Sequence, residues 1–379
     1  MMDGNCWRAN VPGSAAPKPA DSETNVAITG FRPSESKSPG ALHGCLTVVL
    51  LTSIVLLAKP TMAQVGVVDA RTGTVRIYVS LATSAMTRLV KGLNQHFPNL
   101  KIEFVRAGSV ETVKRFVAER QAGRIGADLI HGADPGGFEY FAQKGWLDTR
   151  LAALPLTKDY RDGFYDKNAG WVAPRATGIA IVYNTKLVKK ENAPKSWKEL
   201  IEPKWKGRIA ISDPTRAGSS FSHLYAMWQI YGLGYLEKFA KNDLFVAGDG
   251  TATREAVASG ERDIAPVSEY DAFTFKKEGK PVDVAWVEDG TIMLPAPLAL
   301  VKGSPNNANA LALAEYMLSR EGQQMTSDIT LSWSPRKDIK APDGKPELDS
   351  IQIATLNWEK AATEKGQLLD LYFKYFQAR

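Results

Sequence analysis

Leu46 to Ala58 reads LTVVLLTSIVLLA, an uncharged stretch of thirteen residues, and it is the one long apolar run in the chain. A membrane-spanning helix needs about 20 such residues, whereas the core of a signal peptide needs about 7–15. A polytopic membrane fold is therefore excluded. Arg32, Lys37 and His43 lie on the N-terminal side of the run, and Lys59-Pro60 ends it. Thr61-Met62-Ala63 then offers small residues at the −3 and −1 positions for cleavage before Gln64. Residues 1–63 read as an export signal with a long polar leader, rich in Pro, Ser, Gly and Asn from Met1 to Gly40. Leu42-His43-Gly44-Cys45 has the look of a lipid-attachment box, but it precedes the apolar run instead of following it.

Both cysteines, Cys6 and Cys45, lie in that segment. Removing residues 1–63 from the 379 leaves 316 without a thiol. A disulfide framework, a thiol nucleophile and a cysteine metal site are thereby excluded. The remaining chain carries 42 Lys and Arg against 37 Asp and Glu, a net +5. That mild excess allows an anionic partner and does not point to nucleic acid. With 44% hydrophobic and 23% charged residues the composition is that of a globular protein, and the length suggests two domains.

From Val75 onward, short β-branched runs alternate with helical spacing. Val75 to Val79 (VRIYV), Lys101 to Val105 and Ala127 to Ile130 read as strands. Between them, Met86, Leu89, Val90, Leu93 and Phe97 mark one helix, with Thr83 or Ser84 as its cap, and Val110 to Gln121 marks another. This order predicts a parallel α/β unit. A second unit begins after Trp171, with strands at Ile179 to Tyr183, Arg208 to Ser212 and Asp263 to Val267. Its helices are expected to open at Ser219 or Ser220 and after Gly248-Asp249-Gly250. Val282 to Trp286 and Met293 to Val301 carry the chain back, and Ala308 to Met325 and Trp358 to Phe376 read as closing helices.

Three strand-to-helix turns are rich in small polar residues: Ser80 to Ser84, Asp213 to Ser220 and Gly248 to Thr253. Ligands of open α/β sheets gather beyond the carboxyl ends of the strands. If these turns face one cleft, three helix N-termini present free backbone N–H groups to one anion. Taken singly, each turn could equally do no more than cap its own helix.

Ala193 to Ser220 reads APKSWKELIEPKWKGRIAISDPTRAGSS, preceded by GIAIVYNTKL at Gly178 to Leu187. The longer segment resembles the A-P-x-S-W-x-[DE]-L-x-x-P-x-[WF]-K-G-[KR]-I-x-[IV]-x-[DN]-P segment of bacterial extracellular solute-binding proteins of ABC importers. The resembling subgroup holds ferric-ion, phosphonate and sugar-phosphate binders. The resemblance runs from Thr74 to Phe376 and takes in Ala127-Asp128, Tyr183-Asn184, Pro214 and Ser334-Pro335-Arg336. It implies an α/β, two-lobed type II periplasmic-binding fold, with a hinge of crossing strands and a ligand cleft between the lobes. Its expected division is 64–175 for the first part of lobe one, 176–291 for lobe two, and 292–379 for the return with closing helices. A periplasmic location, an ABC permease as partner, a monomeric state and no cofactor are implied with it.

The ferric binders of this subgroup use a His in the first strand-to-helix turn, a Glu after the Ala-Asp strand, and two adjacent tyrosines. Here the first turn is Ser80-Leu81-Ala82-Thr83, His131-Gly132-Ala133 stands where the Glu would be, and Tyr270-Asp271 replaces the tandem tyrosines. His131, Asp134, Tyr270 and Asp271 have no metal-ligand spacing. The anion-binding turn is kept as Thr215-Arg216-Ala217-Gly218-Ser219-Ser220. The residues expected at the ligand are accordingly Ser80, Thr83, Arg175, Arg216, Ala217, Gly218, Ser219, Ser220, Thr251, Glu269, Tyr270 and Asp271. Guanidinium forks at Arg216 and Arg175 match tetrahedral oxygens. Arg175 has a second reading, pairing with a carboxylate across the lobes. Glu269 and Asp271 beside an anion favour a zwitterion, and 2-aminoethylphosphonate is the expected ligand, its ammonium on Asp271, Glu269 or Asp134. Another organophosphonate or organophosphate binding through hydroxyls is the near alternative, and ferric ion a further one. Trp171 and Tyr165 are candidates to line the cleft.

An enzyme is the rival class. The exported part holds His96, His131 and His223 alone, and no G-x-S-x-G, H-E-x-x-H or G-x-x-x-x-G-K-[ST] pattern occurs. A sensor subunit feeding a kinase would share the fold and differ only in its partner.

Overall fold

The computed structural model describes residues 69–377. The apolar run, the cleavage position before Gln64 and both cysteines lie outside the described residues. The first lobe is built on a seven-stranded sheet. Its strands are β1 (Gly73–Val79), β2 (Leu100–Arg106), β3 (Leu129–His131), β4 (Leu147–Asp148), β5 (Tyr165–Asp166) and β6 (Trp171–Val172). The order is β2-β1-β3 in parallel, then a late strand, Leu298–Val301, antiparallel to β3, then β6 and β5. Helices α1 (Thr83–His96), α2 (Ser109–Gln121) and α3 (Pro135–Gln143) follow β1, β2 and β3. The alternation seen in the sequence decides the two faces. Val75, Ile77, Val79, Leu129 and Leu298 pack under α1, while Tyr78, Ile130 and Ala299 face the opposite side with Phe116, Phe138 and Phe141.

The second lobe turns on β7 (Ala176–Asn184), which is buried along its whole length. A strand with both faces covered is expected to be apolar throughout, and ATGIAIVYN nearly is. The lobe adds β8 (Ala210–Ser212), helices α4 (Gly218–Tyr231) and α5 (Leu233–Ala240), and β9 (Phe245–Ala247). It continues with α6 (Gly250–Ser259), β10 (Ile264–Ser268), α7 (Glu269–Lys277), β11 (Val282–Ala285) and β12 (Ile292–Pro295). β10, β11 and β12 all pair antiparallel with β7. Trp197 and Trp205 of the signature segment are fully buried under α4 and α5, which explains why that segment is so particular in its aromatics.

Three long segments expected from the sequence are broken. Met293 to Val301 divides at Ala296-Pro297, sending β12 to the second lobe and β13 (Leu298–Val301) to the first. The expected helix from Ala308 to Met325 becomes α8 (Asn307–Leu318) and α9 (Arg320–Thr330). Ser319 is extended there, and its hydroxyl caps α9 by accepting from Gly322 N at 3.1 Å. The final helix likewise divides into α10 (Trp358–Thr363) and α11 (Lys365–Tyr372), whose Ala361, Leu368 and Tyr372 join the core of the second lobe.

The segment after α9 passes under both lobes. Lys345 and Glu269, neither with any side-chain exposure, form an ion pair at 2.6 Å. Glu269 also accepts from Gly178 N at 2.7 Å, and Lys345 donates to Leu331 O at 2.9 Å over the Trp333 ring. Burial pushes the Glu269 carboxyl up and the Lys345 ammonium down, each opposed by the charge of the other. Gly178 is needed at this crossing, since a Cβ there would come within 2.8 Å of Thr291 Cγ2. Removing one partner of a buried pair typically costs about 3–5 kcal/mol, while replacing both is often neutral. Lys345→Met should therefore strongly destabilise the protein, and Lys345→Met with Glu269→Gln should recover most of the loss in a denaturant titration.

His223, on α4, is fully buried between Trp197 and Phe239, with neither ring nitrogen hydrogen-bonded among the described residues. Burial lowers its pKa from 6.5 to about 3. The unfolded chain binds a proton near pH 6.5 that the folded chain refuses, so this contribution is intact above that pH and lost as pH falls toward 3. His223→Leu should flatten the fall of the unfolding midpoint between about pH 7 and 5. A pH profile parallel to the unsubstituted protein would show that the ring protonates in place.

Candidate functional site

Between the lobes lies a cavity of about 100 Å³, and the strand ends fix what surrounds it. From the first lobe come Ser80 and Ala82 before α1, Arg106 and Gly108 before α2 with Ser109 as its first residue, and Ala133 before α3. From the second come Arg175 and Thr177 of the crossing into β7, Arg216 to Ser219 at α4, Asp249 to Thr251 and Arg254 at α6, and Ser268, Tyr270 and Asp271 at α7. The three turns expected to converge do so, and the starts of α2 and α7 join them. The starts of α1, α4 and α7 receive no bond from a cap side chain. Residues at these three starts line the cavity, and the positive end of a helix dipole favours negative charge nearby.

The charges agree. Arg106, Arg175, Arg216 and Arg254 line the cavity against two carboxylates, Asp249 and Asp271. Asp249 is spent on the cap of α6, accepting from Ala252 N at 2.9 Å. Asp271 is bonded to the Arg254 guanidinium. Burial pushes Asp271 up to about 6 against the pull of Arg254. Arg175 is buried at the floor, its Nη1 donating to Ser332 Oγ at 3.0 Å and its plane 5.4 Å from the Tyr270 ring. Among the described residues it pairs with no carboxylate across the lobes. Its Nε, the Thr177 hydroxyl and the Arg254 Nε are buried polar atoms without a hydrogen-bond partner among the described residues. Such atoms are rare and expensive unless something satisfies them.

Nine of the twelve residues expected at the ligand line this cavity: Ser80, Arg175, Arg216, Ala217, Gly218, Ser219, Thr251, Tyr270 and Asp271. Three do not. Thr83 is exposed as the first residue of α1, whose cap position is Ala82. Ser220 faces the second lobe's interior and donates to Ser212 O at 2.5 Å, because one residue further along a helix turns a side chain by about 100°. Glu269 is occupied by Lys345 beneath the site. Asp134, offered as an ammonium partner, caps α3 through Gly137 N and lies 3.4 Å from Lys365 Nζ. All three carboxylates expected to read an ammonium are thus already beside a cation. Trp171 is buried and donates to Glu139, and Tyr165 packs on the first lobe's core, so neither lines the cleft.

His131 does not face the ligand either. Its Nδ1 lies 2.9 Å from Pro297 O, and burial, followed by the nearby Arg175, lowers its pKa to about 3. Among the described residues no three His, Cys, Asp or Glu are grouped to hold a metal ion. Sequence reasoning missed Arg106 and Arg254. The position of Arg106 at the carboxyl end of β2, next to β1, was the available signal. Arg254 stands one helical turn into α6, beyond the turn itself, where nothing local marks it.

The lobes touch at the mouth of the cleft. Gly218 N donates to Ser109 Oγ at 3.1 Å, and Arg216 lies 3.7 Å from Glu111, both half-exposed, a pair of little energetic weight. A Cβ on Gly218 would come within 2.7 Å of both Ala133 O and Ser109 Oγ. Gly218→Val should keep the ligand-free unfolding midpoint yet bind at least ~10-fold more weakly any ligand that stabilises the unsubstituted protein, a loss of about 1.4 kcal/mol. Equal affinity in calorimetry would show that the mouth closes around a side chain.

Residues 88–351 match the family described as bacterial extracellular solute-binding protein. A putative 2-aminoethylphosphonate-binding periplasmic protein of Salmonella typhi is 23% identical over 278 residues, 69% of this chain and 79% of that one. The major ferric iron-binding protein of Neisseria meningitidis serogroup A is 24% identical over 217 residues, 51% of this chain and 62% of that one. Among solved structures, the periplasmic binding protein AfuA of Actinobacillus pleuropneumoniae, with fructose-6-phosphate bound, superposes with a TM-score of 0.72 at 22% identity. That alignment covers 82% of this chain and all of AfuA, and the shared fold is the two-lobed type II arrangement.

Proposed function

This chain is a bacterial extracellular solute-binding protein of the kind that serves ABC importers, and we propose that it captures a small organophosphorus anion in the periplasm and hands it to a membrane permease. The observation that carries the reading is the wall of the cavity. Four guanidinium groups and five helix starts surround it, with no carboxylate free of a cap or a cation. Tetrahedral, multiply charged oxygens match this donor set, because guanidinium forks and backbone N–H groups can each take one edge of the anion. Arg175 Nε and the Thr177 hydroxyl supply buried donors at the floor. Gly218 N already meets Ser109 Oγ from the other lobe, and closure around one ligand would bring both halves of the donor set onto it, with the ligand's affinity for the closed state driving the motion.

Ferric ion is the weaker reading. Tyr270 is the one tyrosine lining the cavity, and burial, then the adjacent Asp271, pushes its phenol up to about 12. A phenol held protonated is a poor ligand for a hard cation, and the guanidinium groups around it repel one.

Thermal unfolding of the purified protein against fructose 6-phosphate, glycerol 3-phosphate, propylphosphonate, 2-aminoethylphosphonate, inorganic phosphate and ferric citrate tests the reading. A true ligand at 100 times its dissociation constant adds about 2.7 kcal/mol to stability. A raised midpoint is expected with at least one organophosphorus compound. A shift with ferric citrate alone would overturn the proposal.

A further inference from the structure

The charge around Asp271 carries a second conclusion, which rests on the organophosphorus reading of the site. Asp271, the third residue of α7, and Arg254, one turn into α6, both line the cavity, and Arg254 Nη1 donates to Asp271 Oδ1. Arg254 is not a mobile surface charge. Its side chain is 16% exposed, and its guanidinium lies 5.3 Å from the Phe275 ring of the same helix that carries Asp271. A planar fork held by a ring and a carboxylate is preorganised, whereas a ligand's ammonium is a strongly hydrated point charge. An incoming ammonium would have to displace Arg254 to reach the carboxylate. The other acids nearby offer no substitute, since Glu269 is bonded to Lys345 and Asp249 caps its own helix.

We infer that Arg254 is a specificity-determining residue: by occupying Asp271 it excludes ligands that carry their own cation, so the site selects amine-free phosphonates and phosphates over aminophosphonates. Discrimination of this kind works by what it denies the wrong ligand, a charge left without a counter-ion among guanidinium groups. The right ligand keeps the tethered guanidinium as part of its cage. Removing Arg254 frees Asp271 to accept an ammonium and reverses the preference.

The experiment compares 2-aminoethylphosphonate with propylphosphonate, its amine-free counterpart of equal chain length, by calorimetry. In the unsubstituted protein propylphosphonate should bind more tightly. In Arg254→Gln the ratio of the two dissociation constants should move at least ~10-fold toward the aminophosphonate. Arg254→Gln with Asp271→Asn, which removes the carboxylate as well, should return the preference to propylphosphonate, because an ammonium again meets no counter-ion beside Arg106, Arg175 and Arg216, and it guards against misfolding of the single variant. A double-mutant cycle in denaturant across the same variants should give a non-zero coupling in the absence of any ligand. A ratio unchanged in Arg254→Gln, or zero coupling, overturns the inference. If the unsubstituted protein binds no organophosphorus compound, the reading of the site falls instead. Appearance of 2-aminoethylphosphonate binding in Arg254→Gln alone would then still support the role of Arg254.

Discussion

The buried contact of Lys345 with Glu269 ties together the three parts of the chain on which the binding site stands. Glu269 opens α7, Gly178 belongs to β7, and Lys345 comes from the long excursion after α9. The N–H of Gly178 and the ammonium of Lys345 each take one oxygen of a single carboxylate, so a shift in any one segment breaks a charged hydrogen bond in a dry interior. The neighbours of these residues are the cavity: Thr177 precedes Gly178, and Tyr270 and Asp271 follow Glu269. Ser332, from the same excursion, holds the Arg175 guanidinium. The floor of the cleft is positioned from below by residues that never reach the ligand.

On that floor the chemistry is set by how few negative groups remain free. Residues at helix starts of both lobes line the cavity, and four guanidinium groups join them. Such an assembly is self-repelling; Asp271 offsets the charge of Arg254, and Ser332 fixes the position of Arg175 by a hydrogen bond. The Arg175 Nε and the Thr177 hydroxyl remain without a hydrogen-bond partner among the described residues, and on the proposed reading an anion satisfies them. On that reading binding is coupled to closure for the same reason, since the donors are divided between the two lobes.

Much of the fold could be read from the order and period of apolar residues. Strands at Val75, Lys101 and Ile179 fell where β-branched runs placed them, and the signature segment from Ala193 to Asp213 identified the lobe it builds. Breaks were harder to see. The helix expected from Ala308 to Met325 ends at Ser319 because a single hydroxyl caps α9, a local signal that the apolar periodicity on either side conceals. Within the site, backbone turns rich in Gly and Ser were legible, since small residues at a strand end have few other uses. The partners of charged residues were not: Glu269 and Asp271 are two positions apart on one helix and have opposite fates, one buried against Lys345 and one bonded to Arg254 in the cavity.

The sequence by itself determined an α/β chain with strand-to-helix turns rich in small polar residues, because strand and helix periods and turn chemistry are local properties of neighbouring residues. The tertiary structure alone decided which charges are free. Lys345 lies 76 residues from Glu269, and Arg254 lies 17 from Asp271 across a helix, a strand and a turn. No local pattern encodes such pairings, since a carboxylate's role depends on which cation the fold brings within about 3 Å of it.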